Sequence, residues 1–444
     1  MKRGNLGLKL FGLVVGLVVT AMFALMLYDA LRGNEGKPLT TLSAQGPSAQ
    51  IINNLAKPVF IIAGIVFIAV PAVVLYICWR YRDTGDEATA DDVPAQLHGK
   101  TWAEITWTAI PALVLLVVAV LTVGAIRDLE AREPDALQVK VEGQQWWWQF
   151  RYDLSNDGAG NGSWDDPEDV VTANELVIPV GRQIALTETS NDVIHSFWIP
   201  ALNGKKDAVP GMDTHWSLQA DHVGVYRGQC TEFCGLSHGN MRMLVRAIDS
   251  ADFFGEWVPN QQEPSVQPEE GSLAAAGQEV FAAQLCSSCH LIRGVNDEKV
   301  HNPETGVSTQ LVSGVAPDLT HFATRGTFAG SIFNSHYPNP ADAENVPFGQ
   351  TCVLAKDENP DNLPICPPAN QKDSADTVFS TSPGNPDNPT NPVALADWLR
   401  DPPKIKPMAP DPEPQADERR RGMPNLKLSE EQINQLVAYL NTLK

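Results

Sequence analysis

Three apolar runs near the N-terminus constrain this chain more than anything that follows them. They cover roughly Leu10 to Leu27, Val59 to Cys78 and Ile105 to Ile126. A bilayer core about 30 Å thick is crossed by about 20 residues of apolar helix. A soluble helix of that length keeps a polar stripe, and the second and third runs have none. Transmembrane helices are expected over residues 57–80 and 103–128. Residues 1–30, with Lys2, Arg3 and Lys9 at their start, read either as a first transmembrane helix or as a signal peptide cut near Leu42-Ser43-Ala44. Orientation follows from the basic residues: Lys2, Arg3 and Lys9, then Arg80, Arg82 and Lys100, mark the cytoplasmic side. Everything after about Arg127 is then expected on the outer, periplasmic or extracellular, face of a multi-pass cell-membrane protein in contact with lipid.

Composition narrows the external part. The formal net charge is -21. This excludes a nucleic-acid partner, which requires a basic face, and suits a basic protein partner. From Asp153 to Glu175 there are seven acidic residues and no basic one; the run is either a solvated loop or a patch that steers a donor.

Residues 137–258 read as β: "ALQVKVEG", "ELVIPVGRQIALTET" and "VYRGQC" are Val/Ile/Thr-rich and bounded by Gly and Asn, which suggests a sandwich or barrel. Residues 259–271, "PNQQEPSVQPEEG", read as a linker, and residues 272–444 as a separate helical domain. Ser429 and Gln432 form a capping-box pattern, followed by an apolar face of Ile433, Leu436, Val437, Leu440 and Leu443. Cys78 stands alone in an apolar run and reads as a packing residue, whereas Cys352 and Cys366, outside the cytoplasm, read as a disulfide.

Two motifs carry the chemistry. Cys286-Ser-Ser-Cys289-His290 is the C-x-x-C-H of covalent c-type haem attachment: two thiols reach the vinyl groups and the adjacent imidazole reaches the iron. A thioether as sixth ligand raises the potential. Only Met408 and Met423 follow the motif, and Met423, just before the terminal helix, is preferred. The Pro317 carbonyl is placed to take the other ring N–H of His290. The second motif, "GQCTEFCGLSHGNM", holds Cys230, Cys234, His238 and Met241, and His195 lies upstream in "NDVIHSFWIP". Zinc accepts Cys and His, but the thioether of Met241 suits copper. A mononuclear blue-copper site needs only one Cys, so this set suffices for two coppers bridged by two thiolates.

These residues carry a resemblance. "VIHSFWIPALNGKKDAVPG" with "GVYRGQCTEFCGLSHGNM", preceded by "AEITWTAIPALVLL" and "GQQWWWQFRY", resembles subunit II of haem–copper cytochrome c oxidases, and the C-terminal motif resembles the class with cytochrome c fused to that subunit. The resemblance implies a multidomain membrane protein with N-terminal transmembrane helices, a β-sandwich or barrel cupredoxin domain and an all-α cytochrome c domain. It implies a dinuclear CuA centre held by His195, Cys230, Cys234, His238, Met241 and the Glu232 carbonyl, with the Glu232 side chain on a Mg²⁺ shared with subunit I. Trp146 matches the tryptophan of electron entry, while Trp147 and Trp148 also fit an interfacial aromatic belt; Glu104 matches a proton-channel entrance or is a plain interfacial carboxylate. Where the family often has Arg after "PG", this chain has Met212. The implied activity is that of a cytochrome c oxidase: electrons pass from a reduced donor (cytochrome c, a cytochrome bc complex or a copper protein) through haem c and CuA to subunit I, for O₂ reduction coupled to proton pumping, with subunit III as a further partner. No catalytic acid or base is expected on this chain. Two other readings remain, a CuA-bearing nitric oxide reductase subunit and a membrane-tethered carrier without an oxidase.

Overall fold

The computed structural model describes residues 39–82, 99–155, 160–164, 169–297, 299–301, 308–310, 316–334, 392–408 and 422–444, with isolated helical residues between 12 and 28. Cys352 and Cys366 lie outside the described residues. The chain forms two compact units: residues 1–44 with 48–131, and residues 45–47 with 132–444.

The first unit contains α1 (Pro47–Arg80) and α2 (Thr101–Glu130), the two helices among the described residues that are long and apolar enough to cross a membrane. At about 1.5 Å per residue both exceed a bilayer core. α1 starts well before the expected residue 57. Pro47 fits the first turn, where its missing N–H leaves no bond unmade, and Gln50 Nε2 donates to Asn54 Oδ1 at 2.7 Å one turn on. The hydroxyls of Thr106, Thr108 and Thr122 donate to carbonyls four residues back, at 2.7, 2.9 and 2.7 Å, which hides them from an apolar environment. Leu55, Pro58, Val59 and Ile62 of α1 and Leu113, Val114 and Val117 of α2 line a shared apolar groove. Cys78 is exposed on α1 among the described residues.

The second unit opens with a β-sandwich. Its strands are β1 (Leu137–Gln144), β2 (Trp147–Asp153), β3 (Val170–Ala173), β4 (Glu175–Pro179), β5 (Ile184–Ser190), β6 (His195–Trp198), β7 (Lys205–Ala208), β8 (Thr214–Leu218), β9 (Gly224–Gln229) and β10 (Arg242–Ile248). One sheet runs β3-β2-β1-β5-β8, the second β4-β10-β9, and β6 pairs with β7. Pairing of β1 with β5 and of β4 with β10 is parallel, so each requires a long connection. Alternation in β2 sends Trp148, Phe150 and Tyr152 into the core, where each buried aromatic contributes roughly 1.5–3 kcal/mol. Tyr152 Oη also joins the two sheets, donating to the Val177 carbonyl at 3.0 Å and accepting its N–H at 2.8 Å. Trp147 and Trp148 are both buried in the β domain, so neither belongs to a membrane-interface belt.

Residues 272–444 contribute α3 (Leu273–Ala283), α4 (Pro392–Arg400) and α5 (Glu430–Leu440). Ser272 caps α3 by accepting the Ala275 N–H, and Ser429 with Gln432 closes a full capping box on α5. α3 crosses α5 at Gly277, where a Cβ would stand 2.0 Å from the Gln435 carbonyl oxygen. The apolar face of α5, Ile433, Leu436, Val437 and Leu440 with Leu443, is buried there beside Phe281. An all-α description is incomplete: Lys299–His301 pairs with Ser308–Gln310, and Thr327–Phe328 with Phe333–Asn334.

The stretch 259–271 is not a free tether. Ser265 donates its backbone N–H to the Arg293 carbonyl (3.0 Å) and its hydroxyl to the Thr320 carbonyl (2.6 Å), and the Glu263 carbonyl meets His321 Nε2 at 3.0 Å. The β domain and the C-terminal region are further tied by Arg293 donating to the Asp169 carbonyl (3.0 Å) and by the Gly326 N–H donating to Glu175 (2.8 Å), which also pairs with Arg246. Of the acidic run, Asp153, Asp169 and Glu175 are buried, so they serve the fold and not a solvent-facing patch.

Candidate metal centre

One end of the sandwich collects the soft donors. Cys230 follows β9, and the loop from Cys230 to Met241 returns to β10, so the ladder between these strands holds the loop at both ends; Cys230 donates its backbone N–H to the Met241 carbonyl at 2.9 Å. His195 opens β6 and reaches the loop from the other side. Gly143 on β1 makes room for it: a Cβ there would lie 2.8 Å from His195 Cδ2.

The donor atoms converge. Cys230 Sγ lies 3.8 Å from Cys234 Sγ, 3.9 Å from His195 Nδ1 and 3.3 Å from the Glu232 carbonyl oxygen. Cys234 Sγ lies 3.6 Å from His238 Nδ1 and 3.8 Å from Met241 Sδ. Ligand atoms of His195, Cys230 and Cys234 all fall within 4.8 Å of one another, and these three residues are buried. Both histidines present Nδ1. The Nε2 of His195 is held by Asp192 Oδ1 at 2.9 Å, the kind of outer contact that fixes a ligand's tautomer. Two thiols, two imidazoles, a thioether and a carbonyl, with His195, Cys230, Cys234 and Met241 buried, form a donor set that fits two soft copper ions.

The donor groups share protons at close range. Within the thiol pair the Cys230 thiolate is favoured, down to about 4, first because the Cys234 thiol donates to it and then because His195 adjoins it, against burial. The Cys234 thiol is pushed up because it holds the shared proton beside that thiolate. Burial opposes charge on His195, but Asp192 and Cys230 outweigh it and the imidazole is raised above its ordinary range.

Trp146, 3% exposed, stands against this loop: its indole N–H donates to the Cys234 carbonyl at 2.9 Å, and Gln145 Nε2 donates to the same oxygen at 2.7 Å. Lys406 arrives from the C-terminal region, 4% exposed, and donates to the Trp146 carbonyl at 2.5 Å. Burial pushes the Lys406 ammonium down to about 7, against the pull of Cys234. Sequence reading missed Asp192, Gln145 and Lys406. Asp192 could have been found three residues before His195; Lys406 carries no local signal.

The second motif lies on the other core. Cys286–Ser288 is a 3-10 turn directly after α3, and Cys286 and Cys289 are free thiols. Burial pushes the Cys286 thiol up to about 11. His290 Nδ1 meets the Pro317 carbonyl at 2.8 Å, which leaves Nε2 for another partner. Cys286 and Met423 pack on the same apolar cluster of Phe281, Ile292, Phe322 and Leu399. Met408 packs on the β-domain core, and its Sδ accepts the Met423 N–H at 3.2 Å. Paired thiols, a tautomer-fixed imidazole and a thioether over one apolar cluster fit a covalently held haem. Glu232 has an exposed side chain, and Glu104 lies in the first turn of α2. Met212, 56% exposed, ends a tight turn after Val209.

A cupredoxin-like β domain with a thiolate-imidazole-thioether cage, on a chain with apolar helices, defines the class of membrane-anchored copper electron-transfer proteins. Residues 38–124 match the family model for the transmembrane domain of cytochrome c oxidase subunit II, and residues 137–248 match the one for its periplasmic domain. The chain belongs to the cytochrome c oxidase subunit II family, and is thus a subunit of a haem–copper oxidase complex, with the outer-face domain and the CuA centre that membership implies. It is 35% identical over 305 residues to cytochrome c oxidase subunit 2 of Alkalihalophilus pseudofirmus, covering 67% of this chain and 79% of that one. To the probable subunit 2 of Rickettsia bellii it is 31% identical over 242 residues, 52% of this chain and 88% of the relative. Among solved structures, the periplasmic domain of cytochrome oxidase subunit II of Bradyrhizobium japonicum aligns at 29% identity over 30% of this chain and 96% of that one, with a TM-score of 0.25.

Proposed function

We propose that this chain is the electron-input subunit of its oxidase, taking electrons from a reduced donor into its C-terminal haem region and delivering them from CuA to subunit I for O₂ reduction coupled to proton pumping. The observation that carries the reading is the convergence of His195, Cys230, Cys234, His238 and Met241 around two buried sulfurs. When bound, the coppers and the haem supply reversible one-electron storage. The chain's own residues do the rest. Cys230 and Cys234 would hold the coppers through their sulfurs, with Nδ1 of His195 and His238, the Met241 thioether and the Glu232 carbonyl completing the donors. Asp192 keeps the His195 proton on Nε2. Cys286, Cys289, His290 and Met423 would hold the haem, with Pro317 fixing the imidazole. Burial of His195, Cys230, Cys234 and Met241 keeps water from most of the copper donors, so little solvent reorganises there when the charge changes.

Trp146 is the entry residue, since its indole is hydrogen-bonded to the backbone of Cys234. The side chain of Glu232, exposed next to the sulfurs, is free to meet a Mg²⁺ and subunit I, with subunit III a further neighbour; Glu104 would stand at a proton entrance. Residues 137–258 form the copper domain and 272–444 the haem domain in this reading, on the outer face of a multi-pass chain. The test is metal analysis with EPR and optical spectra of the purified complex. Two coppers and one haem per chain are expected, with one unpaired electron shared over two copper nuclei. One zinc per chain or a mononuclear copper spectrum overturns the copper assignment; turnover of NO in place of O₂ overturns the oxidase reaction.

A further inference from the structure

Residues 406–408 touch the copper loop at several places. Lys406 Nζ donates to the carbonyl of Trp146 at 2.5 Å and reaches that of Ala329 at 3.5 Å. Ser237, fully buried one residue before His238, donates its hydroxyl to the Pro407 carbonyl. Met408 packs on the β-domain core and accepts the backbone N–H of Met423. A continuous series of covalent and hydrogen bonds therefore runs from Met423 through Met408 and Pro407 to Ser237 and His238. A second branch runs through Lys406 to Trp146 and on to Cys234.

Simple packing does not explain this choice of residues. A buried ammonium sheds its hydration at a cost, and an apolar side chain of equal length would fill the space more cheaply. The ammonium instead spends its donors on two backbone carbonyls, one of them that of Trp146.

We propose that Lys406–Met408 is a coupling strap: Lys406 is a positioning residue that fixes the entry tryptophan, and Pro407 and Met408 hold Met423 in register with the His238 side of the copper loop. This rests on the reading that His238 and Met423 are ligands to the two metal groups.

The test is hydrogen exchange on the purified oxidase carrying Lys406→Met, Ser237→Ala, or the exposed control Lys404→Met, with copper and haem counted in each sample. Amides in 145–148 and 236–241 are expected to exchange about tenfold faster in Lys406→Met and in Ser237→Ala, because the local opening that exposes them is eased. Lys404→Met is expected to exchange as the parent does. In the two strap variants, haem-to-copper transfer after a light pulse should slow while both metals remain bound. Ser237→Ala keeps the test open should Lys406→Met fail to assemble. Wild-type protection and an unchanged transfer rate in Ser237→Ala, with metals in place, overturn the strap alone. A parent protein without copper or haem overturns the functional reading instead, whatever the exchange shows.

Discussion

Asp192→Asn tests the copper site at the one contact that sets which nitrogen of His195 faces the sulfurs. His195 is wholly buried, with Nδ1 towards Cys230 Sγ at 3.9 Å and Nε2 on Asp192 Oδ1 at 2.9 Å. A ligating Nδ1 carries no proton, so the ring proton sits on Nε2 and donates to the carboxylate. Asp192 also accepts the Gln145 N–H on Oδ2 (2.8 Å) and the Val193 N–H on Oδ1 (2.7 Å). Asparagine offers one oxygen for these donors. If its oxygen faces His195, its amide group opposes the Gln145 N–H; if its oxygen takes Gln145, the amide group meets Nε2 and drives the ring proton to Nδ1. Either way a charge-assisted bond is lost, about 1.5–3 kcal/mol, which is roughly a 10- to 150-fold change in an equilibrium at about 1.4 kcal/mol per tenfold. Loss of such an outer contact weakens metal affinity by about 10- to 100-fold, so the two estimates agree. The assay is chelator competition on the purified complex, with bound copper read by EPR. Copper should be lost at about 10- to 100-fold lower chelator strength, while haem content and near-ultraviolet dichroism stay as in the parent. Copper held as tightly as in the parent would refute the assignment of Nδ1 as ligand or of Asp192 as its anchor.

Three further outcomes are expected. Gly277→Ala places a methyl 2.0 Å from the Gln435 carbonyl and 2.7 Å from Tyr439 Cβ, so α3 and α5 must separate; overpacking of about 1–3 kcal/mol offsets the helix-propensity gain of about 1 kcal/mol, and faster hydrogen exchange in both helices would show a net loss of up to about 2 kcal/mol. Met423→Ala should turn the haem high-spin and lower its potential, whereas Met408→Ala should keep the low-spin optical spectrum; the reverse assigns the sixth ligand to Met408. Burial holds the Glu188 carboxyl well above the usual carboxylate range, so the fold favours its protonated form more than the unfolded chain does. The stability it confers is present below the unfolded value and falls as pH rises towards the folded one, by about 1.4 kcal/mol per unit. Glu188→Gln should therefore unfold at higher urea than the parent at pH 8 but not at pH 4, and parallel pH profiles would refute this.

Local spacing alone determined much of this protein. Apolar runs without a polar stripe define α1 and α2 because burying a bare helix in lipid needs nothing beyond composition and length. Cys230, Cys234, His238 and Met241 lie within one loop, so their chemistry is legible as a string of residue types. Cys286, Cys289 and His290 are legible for the same reason, and so is the capping box of Ser429 and Gln432. What required the tertiary structure is everything joined across the chain. The Thr231 N–H donates to the Ser196 carbonyl at 3.0 Å and so sets β6 beside the loop where His195 meets Cys230, and no periodicity encodes a pairing between segments so far apart. The stretch 259–271, polar and Pro-rich, reads as a tether, yet its carbonyls and hydroxyls find partners on Arg293, Thr320 and His321. Lys406 and Pro407 look like loop residues, and only folding brings a buried ammonium to the Trp146 carbonyl. Sequence fixes which donors exist, because that is covalent chemistry; it does not fix which of them share a few ångströms, because that depends on the summed packing of strands and helices far apart in the chain.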